Sequence, residues 1–447
     1  MAVNSSQAQK RQISNRGITS IKVRGYKSLV EEHEIEIRPL TILAGANSSG
    51  KSSIIQPILM LKQTLDATYD PGPLLLYGPN VKTTSTEQIF SKLPGRSSVE
   101  SFSIEVVVDQ NKKIEHIFSK KSKKGIELER FSYRDRNQDI TLQEELTAEE
   151  IRLLIPESMR EIENAFSKSE ITDFSWRVVR NRCFLVASFH SSRFAVGTTA
   201  FAFPSIESLS DYFREIIHVP GLRGNPERTY KTTAIGLEFP GTFENYVASV
   251  VHYWQTNQHN RLRELGSSLE ALGLTWKVEA RQIDDTQVEL RVGRMPHSVR
   301  GGARDTVNIA DVGFGVSQIL PVLVALLLAR RGQVVYIEQP EIHLHPRAQS
   351  VMAKILADVA KKGVKVIVET HSSLLIRSIQ TIVARGDLPR EYVKLHWFTR
   401  RTTDGVTEIT SADLDENGAF GDWPTDFEEV ELSVERDYLD SIEENFK

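Results

Sequence analysis

Three short hydrophobic runs predict strands of one buried central sheet. They span residues 40–44, 333–337 and 364–368, and a glycine or a polar residue follows each run. A strand that is buried on both faces is almost continuously hydrophobic, because helices cover both sides of such a sheet. Apolar residues at helical spacing follow the first run, from Ile54 to Leu61. The pattern therefore predicts an α/β fold with ligands at the ends of these strands.

The hydrophobic pattern changes between the first and second runs. Residues 102–108, 114–118 and 126–133 predict antiparallel strands, of which the last two form a hairpin. Helical spacing over residues 149–166 predicts one amphipathic helix, and residues 243–272 predict two more. No heptad pattern extends over three repeats, which argues against a long coiled-coil arm. We therefore expect an antiparallel β-subdomain and a mainly helical excursion that interrupts the central sheet.

A glycine-rich loop connects the first strand to its helix. It runs Gly-Ala-Asn-Ser-Ser-Gly-Lys-Ser, from Gly45 to Ser52. Glycines allow the backbone amides to curl around phosphate oxygens at a helix N-terminus. In such a loop Lys51 reaches the outer phosphates and the Ser52 hydroxyl ligates magnesium. The loop therefore predicts binding of ATP or GTP.

The second half of the chain adds three candidate groups to this site. Glu338 ends the second hydrophobic run, where a carboxylate meets the magnesium site of P-loop enzymes. Gly313 and Gly315 precede a helical run, so their free amides form a second anion-binding helix end. His371 follows the third run, at the same edge of the predicted sheet. Together these groups predict a site that hydrolyses a nucleotide.

The order of phosphate loop, glycine signature, acidic strand end and histidine resembles the ATP-binding-cassette (ABC) branch of P-loop ATPases. Within that branch the chain is similar to soluble heads of the SMC, RecF and OLD type. Residues 337–346 and 414–424 resemble small bacterial OLD-like ATPases without a TOPRIM domain, which occur in antiphage defence cassettes such as Septu or PARIS. The resemblance covers residues 18–110 and 295–425. It implies an ABC-ATPase head with a mixed central sheet, ATP as ligand and Mg²⁺ as its metal.

The resemblance also implies a role for each matching residue of the first lobe. Ser52 and Glu338 would hold magnesium, and Gln88 would couple the metal to the arm domain. The residues expected to contact the nucleotide are Arg24, Lys27, Ser28, Asn47, Ser48, Ser49, Gly50, Lys51, Ser52 and Ser53.

The glycine signature has a role in a second protomer. Heads of this class close face to face around two nucleotides, so Gly313, Phe314 and Gly315 would cap the γ-phosphate bound by the partner. His371 would sense that phosphate. The resemblance therefore implies a head-to-head dimer or a higher oligomer.

Two residues depart from the superfamily pattern. Gln339 stands where a glutamate usually activates water, and Gly313 stands where the signature usually has serine. A glutamine can orient water but cannot take its proton, so that step falls to Glu341, His371 or the phosphate itself. Glu341 could equally replace the usual base. We expect an ATPase with slow turnover.

Length and composition fit a soluble cytoplasmic protein with more than one lobe. No apolar stretch of the 447 residues approaches the roughly 18 residues of a membrane span. The single cysteine, Cys183, excludes an internal disulfide. The expected organisation is a flexible tail (1–17), an N-terminal head lobe (18–110), a hairpin and helical excursion (111–294), a C-terminal head lobe (295–425) and an acidic segment (426–447).

Charge is distributed unevenly along the chain. Residues 404–447 contain 15 Asp and Glu against two basic residues, so the rest of the chain has 53 Lys and Arg against 44 acids. A basic body suggests DNA or another polyanion as a partner, and the acidic end could compete for that surface or dock on another subunit. Residues 120–124, and Arg177 with Arg180 and Arg182, are candidates for phosphate contact. A solvated hairpin tip is the simpler explanation of the first cluster.

The resemblance and the charge together suggest a function. We expect an ATP-dependent sensor or regulator of a partner nuclease, of the HNH or TOPRIM kind, in bacterial antiphage defence. No nuclease motif is visible in the sequence, so the effector is expected on another polypeptide. Two alternatives stay open: a free-standing DNA-repair ATPase like RecF, and a nuclease whose metal site lies in the excursion. Arg223 and Arg228 could sense the nucleotide or a partner, or only tie down their loop.

Overall fold

In the computed structural model of the chain, a central mixed sheet separates two hydrophobic cores. One core is mainly helical, and the other includes an antiparallel β-subdomain. None of the described helices is long and apolar enough to cross a membrane. The residues that the structure describes are 16–95, 97–121, 125–167, 174–191, 198–295 and 305–421, together with Arg436.

The central sheet has six strands and contains all three of the predicted hydrophobic runs. Its last strand is antiparallel to its neighbour, and the other neighbouring pairs are parallel. In spatial order the strands are β11 (Ile217–Val219), β16 (Val334–Glu338), β17 (Lys365–Thr370), β3 (Leu40–Gly45), β18 (Val393–Arg400) and β19 (Thr407–Ala412).

The strands of this sheet are buried on both faces because alternate residues enter different cores. On β3, Leu40 and Ile42 pack into the helical core, whereas Leu43 packs into the core of the β-subdomain. On β16, Val335 and Tyr336 divide in the same way. Burial on both faces explains the continuous hydrophobic runs of the sequence.

The β-subdomain is a six-stranded antiparallel sheet beside the first lobe. The predicted hairpin of residues 114–118 and 126–133 is confirmed, because these segments form antiparallel strands, with a register shift between Ile117 and Phe118. The tip of the hairpin, residues 122–124, lies outside the described residues. In spatial order the strands are β2 (His33–Glu36), β1 (Ile18–Arg24), β4 (Ser101–Val108), β5 (Lys112–Lys121), β6 (Gly125–Arg134) and β7 (Asp139–Leu142).

The excursion, expected from the sequence to be mainly helical, contains strands as well as helices. Its strand β11 joins the central sheet by parallel pairing with β16, which the sequence pattern does not predict. Two smaller antiparallel sheets contain the remaining strands. These strands are β8 (Phe174–Asn181), β9 (Phe184–Ser191) and β10 (Thr198–Phe203), and then β12 (Tyr230–Lys231), β13 (Val278–Gln282), β14 (Gln287–Gly293) and β15 (Thr306–Asn308).

The helices lie against both cores. Single 3-10 turns occur at Thr86–Gln88, Phe243–Tyr246, Ile309–Asp311 and Arg390–Tyr392. The helices are α1 (Lys51–Asp66), α2 (Ala148–Leu154), α3 (Glu157–Ser167), α4 (Ile206–Arg214), α5 (Val247–Thr256), α6 (Asn260–Ala271), α7 (Phe314–Leu328), α8 (Pro346–Lys361) and α9 (Ser373–Ala384).

One helix prediction is wrong. Residues 149–166 form two helices, α2 and α3, and not one. Pro156 separates them, because proline lacks an amide hydrogen and pushes the preceding residue out of helical geometry. That residue, Ile155, is extended, with φ −75° and ψ 150°. The two helices predicted within residues 243–272 are confirmed as α5 and α6.

The predicted fold class is confirmed. The structure has the α/β architecture expected from the sequence: a mixed central sheet, an antiparallel β-subdomain and an inserted segment. Two expectations fall outside the described residues: the flexible tail up to residue 15, and the acidic segment 426–447 apart from Arg436.

Candidate functional site

The glycine-rich loop turns sharply between β3 and α1. Gly45 and Gly50 have φ values of 141° and 104°, a region that favours glycine. A Cβ on Gly50 would lie only 2.4 Å from Thr407 Oγ1. Because α1 begins at Lys51, the first amides of the helix lack intrahelical partners. The loop and the helix end together form an anion-binding cradle.

Lys51 stabilises this cradle through hydrogen bonds to its backbone. Its side chain is buried, and Nζ donates to Gly45 O at 3.1 Å and to Ala46 O at 2.7 Å. Burial lowers the pKa of Lys51, and the carboxylates of Glu369 and Glu341 oppose that shift. The ammonium group therefore lies among backbone carbonyls and carboxylates at the wall of the cavity.

A cavity of about 480 Å³ is bounded by the loop. This volume is within the range of small-molecule sites. The lining residues that the sequence predicts are Lys27, Ser28, Asn47, Ser48, Ser49, Gly50, Lys51, Ser52, Ser53, Gln339 and His371. Those that it does not predict are Val30, Gln56, Phe90, Lys92, Glu369, Arg400, Asp404, Gly405 and Val406.

Residues from both ends of the chain support the loop. Thr407, at the start of β19, donates through Oγ1 to Ser49 O at 2.8 Å. Ser28 Oγ lies 2.8 Å from Thr407 Oγ1. Lys27 donates through Nζ to Gln56 Oε1 at 2.5 Å. The wall of the cavity therefore depends on contacts of the segment after β1 with the start of β19 and with α1.

The carboxylate beside the Ser52 hydroxyl belongs to Glu369, at the end of β17. Ser52 Oγ lies 2.9 and 3.1 Å from the two carboxylate oxygens, and Tyr336 donates its hydroxyl to Oε2 at 2.8 Å. Burial raises the pKa of Glu369, as does the nearby charge of Glu338. Hydroxyl and carboxylate oxygens are ligands that Mg²⁺ prefers, together with phosphate oxygens and water. The donor set at Ser52 therefore fits a magnesium ion.

Glu338, the predicted magnesium ligand, lies elsewhere in the site. Its Oε1 contacts His218 Nε2 at 3.1 Å, and its Oε2 accepts from the Gly221 amide at 3.0 Å. Burial alone would raise the pKa of Glu338, but the bonds from His218 and Gly221 lower it. Among the described residues, Glu338 does not line the cavity. The structure thus brings Ser52 to Glu369 and not to Glu338.

The candidates for water activation occupy different positions. Gln339 and His371 line the cavity. Glu341 does not; its Oε1 accepts from Thr370 Oγ1 at 2.7 Å and from the His371 amide at 3.0 Å. Burial lowers the pKa of His371, and the charge of Lys51 adds to the effect. Glu341 therefore acts on the backbone that holds His371.

Two predicted contacts are absent from the cavity among the described residues. Arg24 is exposed at the end of β1, and Gln88 is exposed in a 3-10 turn, where its Oε1 accepts from the Thr84 amide at 3.2 Å. The structure brings neither residue to Ser52.

The glycine signature lies at the N-terminus of α7. Gly313 is the N-cap residue, and the Phe314 side chain is 54% exposed. Among the described residues, no atom lies within 4 Å of a Cβ placed on Gly313. Gly313, Phe314 and Gly315 do not line the cavity of their own chain. The exposed positions of Gly313 and Phe314 agree with the expectation that these residues contact a partner.

The loop after β11 connects Glu338 to the signature helix. Arg223 donates to the carbonyl of Glu338 at 2.8 Å and to that of Gln318, on α7, at 3.1 Å. Arg228 forms an ion pair with Asp311 at 2.8 Å, just before the signature. Both arginines tie this loop to its neighbours, and their action as sensors stays a prediction.

Several residues of the predicted basic clusters have internal partners. Arg180 forms two hydrogen bonds with Asp70, at 3.0 and 2.8 Å, and Arg182 donates to the carbonyl of Thr64 at 2.7 Å. Lys121 pairs with Glu127 across the hairpin. These three basic residues therefore have partners within the chain.

The sequence contains a weak signal for Glu369. It ends the third hydrophobic run, just before the histidine, and therefore lies at the same sheet edge as Glu338. The signal does not tell which carboxylate faces Ser52. Arg400 and Lys92 carry no motif, because their place at the cavity depends on the packing of distant segments.

Comparison with known families gives one match. Residues 40–377 match the family described as "AAA domain, putative AbiEii toxin, Type IV TA system". The match contains the phosphate loop, the excursion, the signature and His371. Among curated proteins, no sequence matches the chain significantly.

Three solved structures that the chain matches at low sequence identity are SMC heads. An SMC head bound to the C-winged helix domain of ScpA has a TM-score of 0.48 at 13% identity, over 90% of this chain and 98% of that one. The SMC head domain from Thermotoga maritima has a TM-score of 0.42 at 13% identity, over 88% and 98%. The third is an Smc head domain from Pyrococcus furiosus with an extended coiled coil, bound to the C-terminal domain of ScpA. Its TM-score is 0.43 at 12% identity, over 89% of this chain and 96% of that one.

Proposed function

The chain belongs to the AAA-domain family of AbiEii-like P-loop ATPases, and we propose that it binds ATP with magnesium and hydrolyses it slowly. The observation that carries the proposal is the cradle from Gly45 to Ser52. Its glycines adopt left-handed φ values, its helix end offers free amides, and Lys51 lies at its wall. This combination binds the phosphates of a nucleotide.

Magnesium would be held by the Ser52 hydroxyl and by phosphate oxygens, next to the Glu369 carboxylate. The ion would neutralise charge that develops on the phosphates. The chain itself orients the reactants: Lys51 binds the outer phosphates, and Gln339 and His371 face the reacting end from the cavity wall. Slow turnover is supported by Gln339, because an amide cannot take a proton from water.

We further propose that two heads close around nucleotide. Gly313, Phe314 and Gly315 would contact the γ-phosphate bound by the partner. The exposure of Phe314, and the open space at Gly313, support this role. The loop after β11 joins Glu338 to α7 and would link the nucleotide site to that surface.

The biological role that we propose is ATP-dependent control of a nuclease partner in antiphage defence. The family description refers to a toxin and a type IV toxin–antitoxin system, which supports control of a toxic effector. Contact with DNA or another polyanion is supported by the basic body of the chain. On α8, Arg347, Lys354 and Lys361 are exposed at seven-residue spacing and thus share one helix face.

The experiment that tests the proposal replaces Lys51 by alanine. Lys51→Ala removes the ammonium from the phosphate cradle, so ATP binding measured by calorimetry should be lost. Circular dichroism should show a folded protein. Lys354→Ala, which removes an exposed lysine of α8, is the matched control and should bind ATP like the parent. Unchanged ATP affinity in Lys51→Ala would refute the assignment of the loop.

A further inference from the structure

Two glutamates occupy equivalent positions at the ends of neighbouring strands. Glu338 on β16 and Glu369 on β17 are paired in the parallel register. Both side chains belong to the same edge of the sheet, where α/β folds bind ligands. Sequence reasoning selects Glu338 for magnesium, because it precedes the residue at which water is usually activated. The contacts of the two carboxylates distinguish them.

Backbone and imidazole donors already engage Glu338. One oxygen contacts His218 Nε2 at 3.1 Å and the other accepts from the Gly221 amide at 3.0 Å. His218 is itself buried, and its Nδ1 lies 3.0 Å from Asn80 Nδ2. Moving Glu338 towards Ser52 would break these contacts and leave buried polar groups without partners.

Within the described segments, the hydrogen bonds of the Glu369 side chain go to two hydroxyl groups. They are Ser52, at 2.9 and 3.1 Å, and Tyr336, at 2.8 Å. A hydroxyl has one hydrogen to donate and two lone pairs to accept. When the hydrogen of Ser52 points to Glu369, both lone pairs of the oxygen are left for a cation. Tyr336 is fully buried and fixes the carboxylate in this orientation.

We propose that Glu369 is the positioning residue for magnesium in this chain: its carboxylate accepts a hydrogen bond from the Ser52 hydroxyl, so that the hydroxyl oxygen faces the metal, and its negative charge stabilises the ion. Glu338 instead anchors the loop after β11 through His218 and Gly221. The inference rests on the proposed function, since it assumes that magnesium accompanies ATP at this loop. It assigns to Glu369 the metal-supporting role that the sequence motif assigns to Glu338.

The test compares Glu369→Gln with Glu338→Gln in the full chain. ATP affinity is measured by calorimetry in Mg²⁺ and in EDTA, and Mn²⁺ serves as a spectroscopic probe of the bound metal. Loss of an outer partner of a metal ligand typically weakens metal affinity about 10- to 100-fold. We expect Glu369→Gln to reduce the gain in ATP affinity given by Mg²⁺ by about that factor, and to leave the affinity in EDTA equal or tighter. Glu338→Gln should change this gain less.

A double-substitution cycle separates positioning from general structural damage. If Glu369 acts through Ser52, then Glu369→Gln should have much less effect on Mg²⁺-dependent affinity in a Ser52→Ala background than in the parent. Tyr336→Phe keeps the charge but removes one anchor, so its effect should be smaller and in the same direction. If Glu369→Gln does not fold, the Mg²⁺-dependent ATP affinity and the Mn²⁺ signal of Tyr336→Phe still test the role of Glu369.

The outcomes are distinguishable. An equal or larger loss in Glu338→Gln, additive effects in the cycle, or no change in Tyr336→Phe would overturn the role of Glu369. A parent chain that binds no ATP in either buffer would instead refute the proposed function. A parent that binds ATP equally in Mg²⁺ and EDTA would leave the phosphate loop standing and overturn this inference.

Discussion

Gln339 occupies a constrained position beside the phosphate loop. Its φ is 46°, in the left-handed region, and its backbone N–H donates to the backbone carbonyl of Glu369 at 2.7 Å. A non-glycine residue in that region costs energy, and such residues cluster at functional sites. The structure thus holds an amide side chain against the cavity, where related enzymes use a carboxylate.

Replacing this amide by a carboxylate should accelerate hydrolysis. A positioned general base contributes about a hundredfold or more, so Gln339→Glu should raise turnover by up to that factor if water is already placed. It should also shorten the ATP-bound state. Steady-state phosphate release at saturating ATP measures the effect.

Gln56→Glu is the matched control for this change. Gln56 also lines the cavity, but it lies on α1, where it accepts from Lys27. The same change of amide to carboxylate at that place should not raise turnover. Equal acceleration by both variants, or none by Gln339→Glu, would contradict the placement of water at Gln339. If Glu341 is the base, Glu341→Gln should remove residual activity.

At the scale of secondary structure, β5 contributes a histidine to an aromatic core. His116 is fully buried beside Phe118, Phe131, Phe184 and Phe213. Within the described part of the chain, neither ring nitrogen has a hydrogen-bond partner. Burial lowers the pKa of His116 from 6.5 to about 3. The packing of β5 against β6, β9 and α4 therefore requires the neutral ring.

This pKa shift predicts acid sensitivity. The unfolded chain protonates His116 near pH 6.5, whereas the folded chain does not until about pH 3. Stability from the neutral ring is thus complete above pH 6.5 and is lost as the pH falls towards 3. At pH 5 the loss is about 2 kcal/mol. His116→Phe should not lose this stability. The free energy of unfolding, measured in urea at pH 7.5 and 5.0, should therefore fall less in the variant than in the parent. A parallel decline in both proteins would contradict this assignment.

At the scale of the whole molecule, the signature lies apart from the cavity of its own chain. Gly313 adjoins open space, whereas a Cβ on Gly315 would lie 3.2 Å from Leu274 Cδ2. A substitution at Gly313 therefore tests the surface without disturbing the fold. This distinction cannot be drawn from the two glycines in the sequence.

A large side chain at Gly313 should block association of heads. Gly313→Arg should bind ATP as the parent does but fail to form the ATP-dependent dimer, because the arginine keeps the partner's phosphate from the helix end. Light scattering with and without ATP measures the change in mass. Gly236→Arg is the matched control: it lies in an exposed loop with similar space and should still dimerise. Dimerisation of Gly313→Arg would refute the composite site.

The sequence by itself determined the parts of this protein that depend on neighbouring residues. The phosphate loop is one turn of chain whose glycines, lysine and serine act within eight positions, so its motif specifies its geometry. The strands β3, β16 and β17 are buried on both faces, so the sequence alone reveals them as continuous hydrophobic runs. The helix prediction over residues 149–166 failed because apolar spacing continues across Pro156, and proline decides the backbone there.

Only the tertiary structure decided which distant residues meet. Glu338 and Glu369 end similar runs, and the sequence cannot show that His218 and Gly221 engage the first while Ser52 contacts the second. That choice depends on β11, which the excursion returns to the central sheet. Strand order and side-chain contact between remote segments result from packing of the whole chain, whereas motifs and periodicity record only local geometry.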